Sequence, residues 1–298
     1  MLMDRSWQFS SSLLVPALFI AGCLTNVPDP ALGSTYACVD DSDCPGTQTC
    51  LQQVCEAVEL PVVKIVNPED EKPYTYTDGA APHAEVLNLA ATNLVLRELS
   101  ESSEAVAGEG HLVVFVDEIE VALIDSGDLS GGVQVPIEIP DVPGVHRIRV
   151  QARLNDGTDY DNETARARNL VWVDDKRIHV ALRSPWPGES FSLESQPVQA
   201  TVAVLGDVSI GPPSTGLEHV HVHYGDSFPA CLDDPLCVVG YVGIVPSNDD
   251  EFGPVFLPKS AAGMVTLTAL IKNSDHTTYL DDMEEPVWSE IQILRTND

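Results

Sequence analysis

Three histidines alternate with valines in Glu218-His219-Val220-His221-Val222-His223-Tyr224. Successive side chains of a β-strand point to opposite faces. His219, His221 and His223 would therefore share one face, about 7 Å from one to the next. Imidazoles at i and i+2 can grip one Cu²⁺ or Zn²⁺. The plainer alternative is a histidine-rich face packed within a sheet. A second constellation is Asn155-Asp156-Gly157-Thr158-Asp159-Tyr160-Asp161-Asn162-Glu163. Oxygens of Asp156, Asp159 and Asp161 around a Gly turn are what hard Ca²⁺ takes, although the EF-hand's closing Glu is missing. Asn-Asp-Gly is equally a plain hairpin turn. No Gly-x-Ser-x-Gly elbow and no phosphate-binding Gly loop occurs. The expectation is no catalytic residue and no enzyme.

Strands must position these groups. Residues 61–298, about 240 in all, exceed one sandwich and contain a repeat. Val62 to Pro68 matches Ile178 to Pro185, a strand closed by Pro in both. Gly110 to Phe115 matches Glu218 to His223, Gly144 to Val150 matches Gly263 to Ala269, and Leu170-Val171-Trp172 matches Pro286-Val287-Trp288. The loop equivalent to 155–163 carries Asn273, Asp275, Asp281, Asp282, Glu284 and Glu285. Turn signals such as Ser130-Gly131-Gly132, Pro212-Pro213 and Gly253-Pro254 separate the strands. Ala84 to Leu99 has helical propensity, but the repeat aligns it with the strand Gln199–Leu205. The predicted fold is all-β. The repeats resemble bacterial immunoglobulin-like domains, which implies two tandem β-sandwiches at 61–177 and 178–298.

Seven cysteines remain to be placed. Cys38, Cys44, Cys50 and Cys55 cluster within a short segment, 38–56, too small for a core of its own. Cys231 and Cys237 form a separate pair. Spacings of five, five and four residues lack the two-residue knuckles of zinc sites and favour disulfides, with three connectivities open in the cluster. The cluster resembles small cystine-rich modules of exported proteins. The seventh, Cys23, follows Leu13–Ile20, an apolar run too short to span a bilayer, and Ile20-Ala21-Gly22. This junction resembles the lipobox of bacterial lipoproteins. The resemblance implies a signal peptide at 1–22, acylation (palmitate among the chains) of Cys23, a tether at 23–37, and, with Leu24 next, sorting to the outer membrane.

The segment His221 to Asp226, with Cys231 following, resembles the copper-ligand strand of copper–zinc superoxide dismutases. That implies His221 and His223 as copper ligands and Cys231 as a disulfide partner. The family's further ligands are not matched. Downstream lie only His276 and an arginine, Arg295, without the family's context. The first repeat also holds His111, Val113 and Phe115 at the same positions, so the strand has an explanation without metal. Composition narrows the partners: 15 Lys+Arg against 46 Asp+Glu give a net charge of −31. Nucleic acid, which needs Lys/Arg against its phosphates, is excluded. The expected function is that of a membrane-anchored envelope lipoprotein acting as a non-enzymatic binding or structural module, toward a protein or polysaccharide partner. The alternative is an envelope metal-binding protein carrying calcium, copper or zinc, and the least favoured is a dismutase-like enzyme.

Overall fold

The computed structural model describes residues 39, 48–51, 54–57, 59–79, 81–100, 104–225, 239–246 and 253–297. The expected signal peptide and tether, Cys23, Cys38, Cys44, Cys231 and Cys237 lie outside the described residues. No helix among the described residues is long and apolar enough to cross a membrane. The chain divides into two compact units, 1–57 and 58–298. In the first, β1 (Gln48–Leu51) pairs antiparallel with β2 (Val54–Ala57), and the register sets Cys50 opposite Cys55.

The second unit consists of two immunoglobulin-like sandwiches. In the first, β3 (Val62–Asn67), β5 (His83–Thr92) and β9 (Val133–Ile139) form one sheet in the order β3-β5-β9. The facing sheet runs β4 (Lys72–Thr75), β11 (Arg166–Asp174), β10 (Gly144–Arg153), β7 (Glu109–Val116), with β6 (Val95–Leu96) and β8 (Ile119–Ile124) on β7. The second sandwich repeats this plan. Its small sheet is β12 (His179–Ser184), β14 (Gln196–Leu205), β17 (Gly253–Leu257). Its large sheet is β13 (Ser190–Ser192), β19 (Trp288–Thr296), β18 (Gly263–Lys272), β15 (His219–Tyr224), β16 (Tyr241–Val245). The stretch 84–99 is not helical: Leu87, Leu89 and Ala91, at alternate positions of β5, feed the core, and that burial overrides local propensity.

The ladders fix the repeat residue by residue. Ile65 pairs with Leu89 and Leu182 with Val202, and each first strand then skips one residue in the same bulge. Arg153 stands opposite His111, and Lys272 stands opposite His219. The equivalence of Trp172 with Trp288 fails. Gln151 pairs with Arg166 and Leu270 with Trp288, so the second repeat's Trp occupies the arginine's place.

Alternation on β7 and β15 explains the cores. Leu112, Val114 and Val116 point into the first core, as Val220 and Val222 do in the second. The intervening residues face outward yet are also buried: Val113 and Phe115 on β7, and all three histidines on β15. On β7 the cover comes partly from Arg149, whose guanidinium lies 3.8 Å from the Phe115 ring centroid.

The sandwiches meet through a third cluster, Leu170, Trp172, Ala181, Trp186 and Ala203. Around it Arg147 donates to the Leu182 carbonyl at 2.8 Å, Trp186 Nε1 donates to Glu118 at 2.9 Å, and Arg168 pairs with Glu189 at 2.6 Å. Arg183 pairs with Asp70 and Glu71 of the first sandwich.

Inside the first sandwich, Glu85 gathers Lys72, Tyr74, Asn67 Nδ2 at 2.9 Å and the Val86 amide at 3.0 Å. Burial alone would raise its carboxyl. The bonds from Lys72, Tyr74, Val86 and Asn67 outweigh burial and hold it at about 2 against an ordinary 4.5. A folded value below the unfolded one stabilises above pH 4.5 and is lost as pH falls toward 2. The displacement is equivalent to about 3 kcal/mol. In urea melts, the stability gap between wild type and Glu85→Gln should therefore stay constant from about pH 8 to 6 and shrink across that acidic window. A gap independent of pH would contradict this role.

Candidate metal centre

The outward face of β15 carries His219, His221 and His223, at 0%, 7% and 0% exposure. Since Val220 and Val222 fill the core, these rings project from the opposite side of the sheet. There His219 and His221 meet a third ring. His219 Nε2 lies 3.0 Å from His221 Nε2, and both lie 3.2 Å from His276 Nδ1. Among the described residues this is the only gathering of three potential His, Cys, Asp or Glu metal donors.

The loop after β18 delivers His276. Asn273 N donates to the Thr277 carbonyl, His276 N to the Asn273 carbonyl, and Thr277 N to the Asp275 carboxylate. The first sandwich has the same turn, bond for bond. Leu154 N donates to the Thr158 carbonyl, Gly157 N to the Leu154 carbonyl, and Thr158 N to Asp156. His276 thus stands where the sister turn has Gly157. Both have left-handed backbone, φ 69° and 89°. A side chain at such a position costs about 1 kcal/mol or more, which glycine avoids. The second sandwich accepts that cost and gains a ring aimed at His219 and His221. Such stored strain clusters at ligand sites.

Three nitrogens in a triangle cannot satisfy one another with protons alone. Each contact needs one donor and one acceptor, and each nitrogen can be only one of these at a time. With three corners and two roles, at least one edge must oppose lone pair to lone pair or N–H to N–H. A central cation removes the conflict, because all three corners then present lone pairs. His219 Nε2, His221 Nε2 and His276 Nδ1, 3.0–3.2 Å apart, would be the atoms that hold such an ion, as a set of three imidazole donors.

His219 and His221 are in the binding form. Burial, then the neighbouring His276, drives His219 down to about 4, and burial, then the other histidines, drives His221 to about 3. Both are neutral imidazoles near pH 7, as ligation requires. His221 Nδ1 is buried without an acceptor, so packing holds this ring: Tyr241 lies 5.0 Å away between centroids. Lys272, buried beside His219, donates to Thr278 Oγ1 at 3.0 Å within the His276 loop.

The other sequence-derived candidates take different places. His223 stands apart from the triangle, its Nδ1 3.2 Å from the Val239 carbonyl. The pair implied by the dismutase resemblance, His221 with His223, is therefore replaced by His219, His221 and His276. Arg295 is fully buried and ties β19 to β13: Nε donates to the Ser192 carbonyl at 2.9 Å and Nη1 to the Tyr224 hydroxyl at 3.1 Å. The three aspartates of 155–163 do not converge. Asp156 caps its own turn, Asp159 pairs with Arg153 at 2.6 Å, and Asp161 lines a cleft. In the second repeat, Asp281 and Glu285 both pair with Arg177. The sequence did carry a sign of His276, namely histidine in place of Gly157 between the aspartate and threonine that both turns share.

No family model matches the sequence, and no curated protein matches it. Solved structures are similar at low identity. Fibronectin(III)-like modules of Clostridium thermocellum CbhA share 15% identity, with 79% of this chain and 94% of that chain covered and a TM-score of 0.23. The D0-D1 domain of Intimin shares 13%, covering 78% and 99%, at a TM-score of 0.32. A putative membrane anchored protein from Corynebacterium diphtheriae shares 12%, covering 80% and 59%, at 0.23.

Proposed function

We propose that this chain is a lipid-anchored protein of the bacterial cell envelope whose second sandwich binds a transition-metal ion, zinc or copper, and that it acts by binding rather than by catalysis. The carrying observation is the triangle of His219, His221 and His276, with nitrogens 3.0–3.2 Å apart. Imidazole sets suit Zn²⁺ and Cu²⁺, whereas Ca²⁺ takes oxygens. In the acidic loops Asp156 caps its own turn while Asp159, Asp281 and Glu285 pair with arginines, so these loops support calcium less well. The tandem immunoglobulin-like architecture supports a structural or interaction role, with loops and sheet edges as contact surfaces. Titrating the full chain in detergent with Zn²⁺ or Cu²⁺ against a chromophoric chelator should show one ion held per chain. A chelator that is never outcompeted would refute the metal reading.

The anchor rests on the lipobox-like Ile20-Ala21-Gly22-Cys23. Several acyl chains on one cysteine give stable attachment, whereas one gives only marginal binding. Changing Cys23→Ser should abolish incorporation of labelled palmitate and release the chain from the membrane fraction. Unchanged labelling would place the acyl group elsewhere or remove the anchor from the account.

A further inference from the structure

A cleft of about 720 Å³ opens where the two sandwiches meet, within the size range of small-ligand sites and at the kind of junction they favour. Its floor is the outward face of β10 and β11. The ladder sets Arg149 opposite Arg168 and Gln151 opposite Arg166, so three guanidiniums and one amide form a two-by-two block. The segment from Trp186 to Phe191 of the second sandwich supplies the facing wall.

This block is conspicuous in a chain of net charge −31. Arg149 is engaged by Glu118 at 2.8 Å and Arg168 by Glu189 at 2.6 Å. Arg166 has no ion pair among the described residues. Moreover, Nε of Arg166 and Nε of Arg168 are both buried without an acceptor. Both residues are only partly buried and line the cleft, so the ends of their guanidiniums, not the sealed Nε groups, are what an incoming oxyanion would meet. Asp161 and Glu163 line the same cleft and are exposed, offering acceptors for hydroxyl groups.

We propose that this cleft binds a saccharide residue bearing one carboxylate, of the uronic-acid type, with the carboxylate on Arg166 and the hydroxyls on Asp161 and Glu163. One negative charge with several hydroxyl donors matches a lining that mixes arginines with carboxylates. An acidic peptide brings carboxylates but few hydroxyls to the acids of the cleft. A dense polyanion is opposed by the charge of the whole chain. The site is independent of the metal centre.

The test is titration of the full chain with methyl glucuronide, methyl glucoside and acetate, followed by ligand-observed NMR and calorimetry. Glucuronide should bind at least about tenfold more tightly than either control, the glucoside lacking the charge and acetate lacking the ring. Arg166→Ala should weaken glucuronide binding by about tenfold or more, and Arg166→Lys, which keeps the charge without the planar fork, by less. Equal affinity for glucoside or for acetate would overturn the proposal. So would glucuronide binding unchanged in both variants.

Discussion

Replacing His219, His221 or His276 by alanine should each weaken zinc binding by at least about 100-fold, since loss of a mere outer-shell partner already costs 10- to 100-fold. His223→Ala should leave the affinity within a few-fold of wild type, because that ring faces the Val239 carbonyl instead. Calorimetry on the four variants separates a triangle of ligands from a generic histidine face. Equal losses in all four would mean the strand, not the triangle, holds the ion. The same site predicts a thermal signature. An ion at 100 times its Kd stabilises the fold by about 2.7 kcal/mol. For a unit of this size that corresponds to about 5–10 °C in Tm. His276→Gly is the most informative single change. It restores the sister turn's residue at a left-handed position, relieving about 1 kcal/mol of backbone cost against a similar entropic penalty for glycine. The metal-free variant should therefore match or exceed wild type in stability and show no zinc-dependent shift. A metal-free variant that unfolds readily would make His276 a structural residue.

Trp186→Ala should be the most destabilising substitution at the junction, by about 3–5 kcal/mol. The ring is 3% exposed, and Arg147 and Arg168 lie over it at 5.1 and 5.2 Å from its centroid. Truncation removes its packing with Leu170, Trp172, Ala181 and Ala203 and takes the indole donor away from Glu118. The two cores are otherwise separate, each closed by its own pair of sheets. Loss of the shared cluster should thus split a single calorimetric transition into two, while zinc affinity stays unchanged. A variant that still melts in one step within about 2 °C of wild type would show that the remaining contacts suffice to couple the sandwiches.

Much of the fold is legible in the sequence because strands carry a period of two. The alternation of histidine with valine on β15, and the Pro stop after β3 and β12, mark both repeats, down to a bulge at the same place. The equivalence of Trp172 with Trp288 misleads because side-chain similarity is a weaker guide than ladder register. The loop before β19 is longer than its counterpart before β11, and a Val-Trp dipeptide recurs by composition while the backbone has slipped. The histidine face was equally legible, but the triangle was not. Alternation fixes which residues share a strand face and says nothing of which ring from a distant loop leans over it. His276 comes 53 residues after His223, with only its exchange for Gly157 to distinguish it. The acidic turn shows the converse. Its spacing suits calcium, but Asp156 and Asp159 bond to their own turn and to Arg153, which only tertiary structure reveals.

The central claim is that one transition-metal ion sits among His219, His221 and His276. X-ray absorption spectroscopy of the zinc-loaded full chain tests it most directly. The predicted result is three imidazole nitrogens at about 2.0–2.1 Å with one further light ligand. Sulfur scattering near about 2.3 Å would place the ion at the cysteines instead, and two or fewer imidazoles would contradict the triangle.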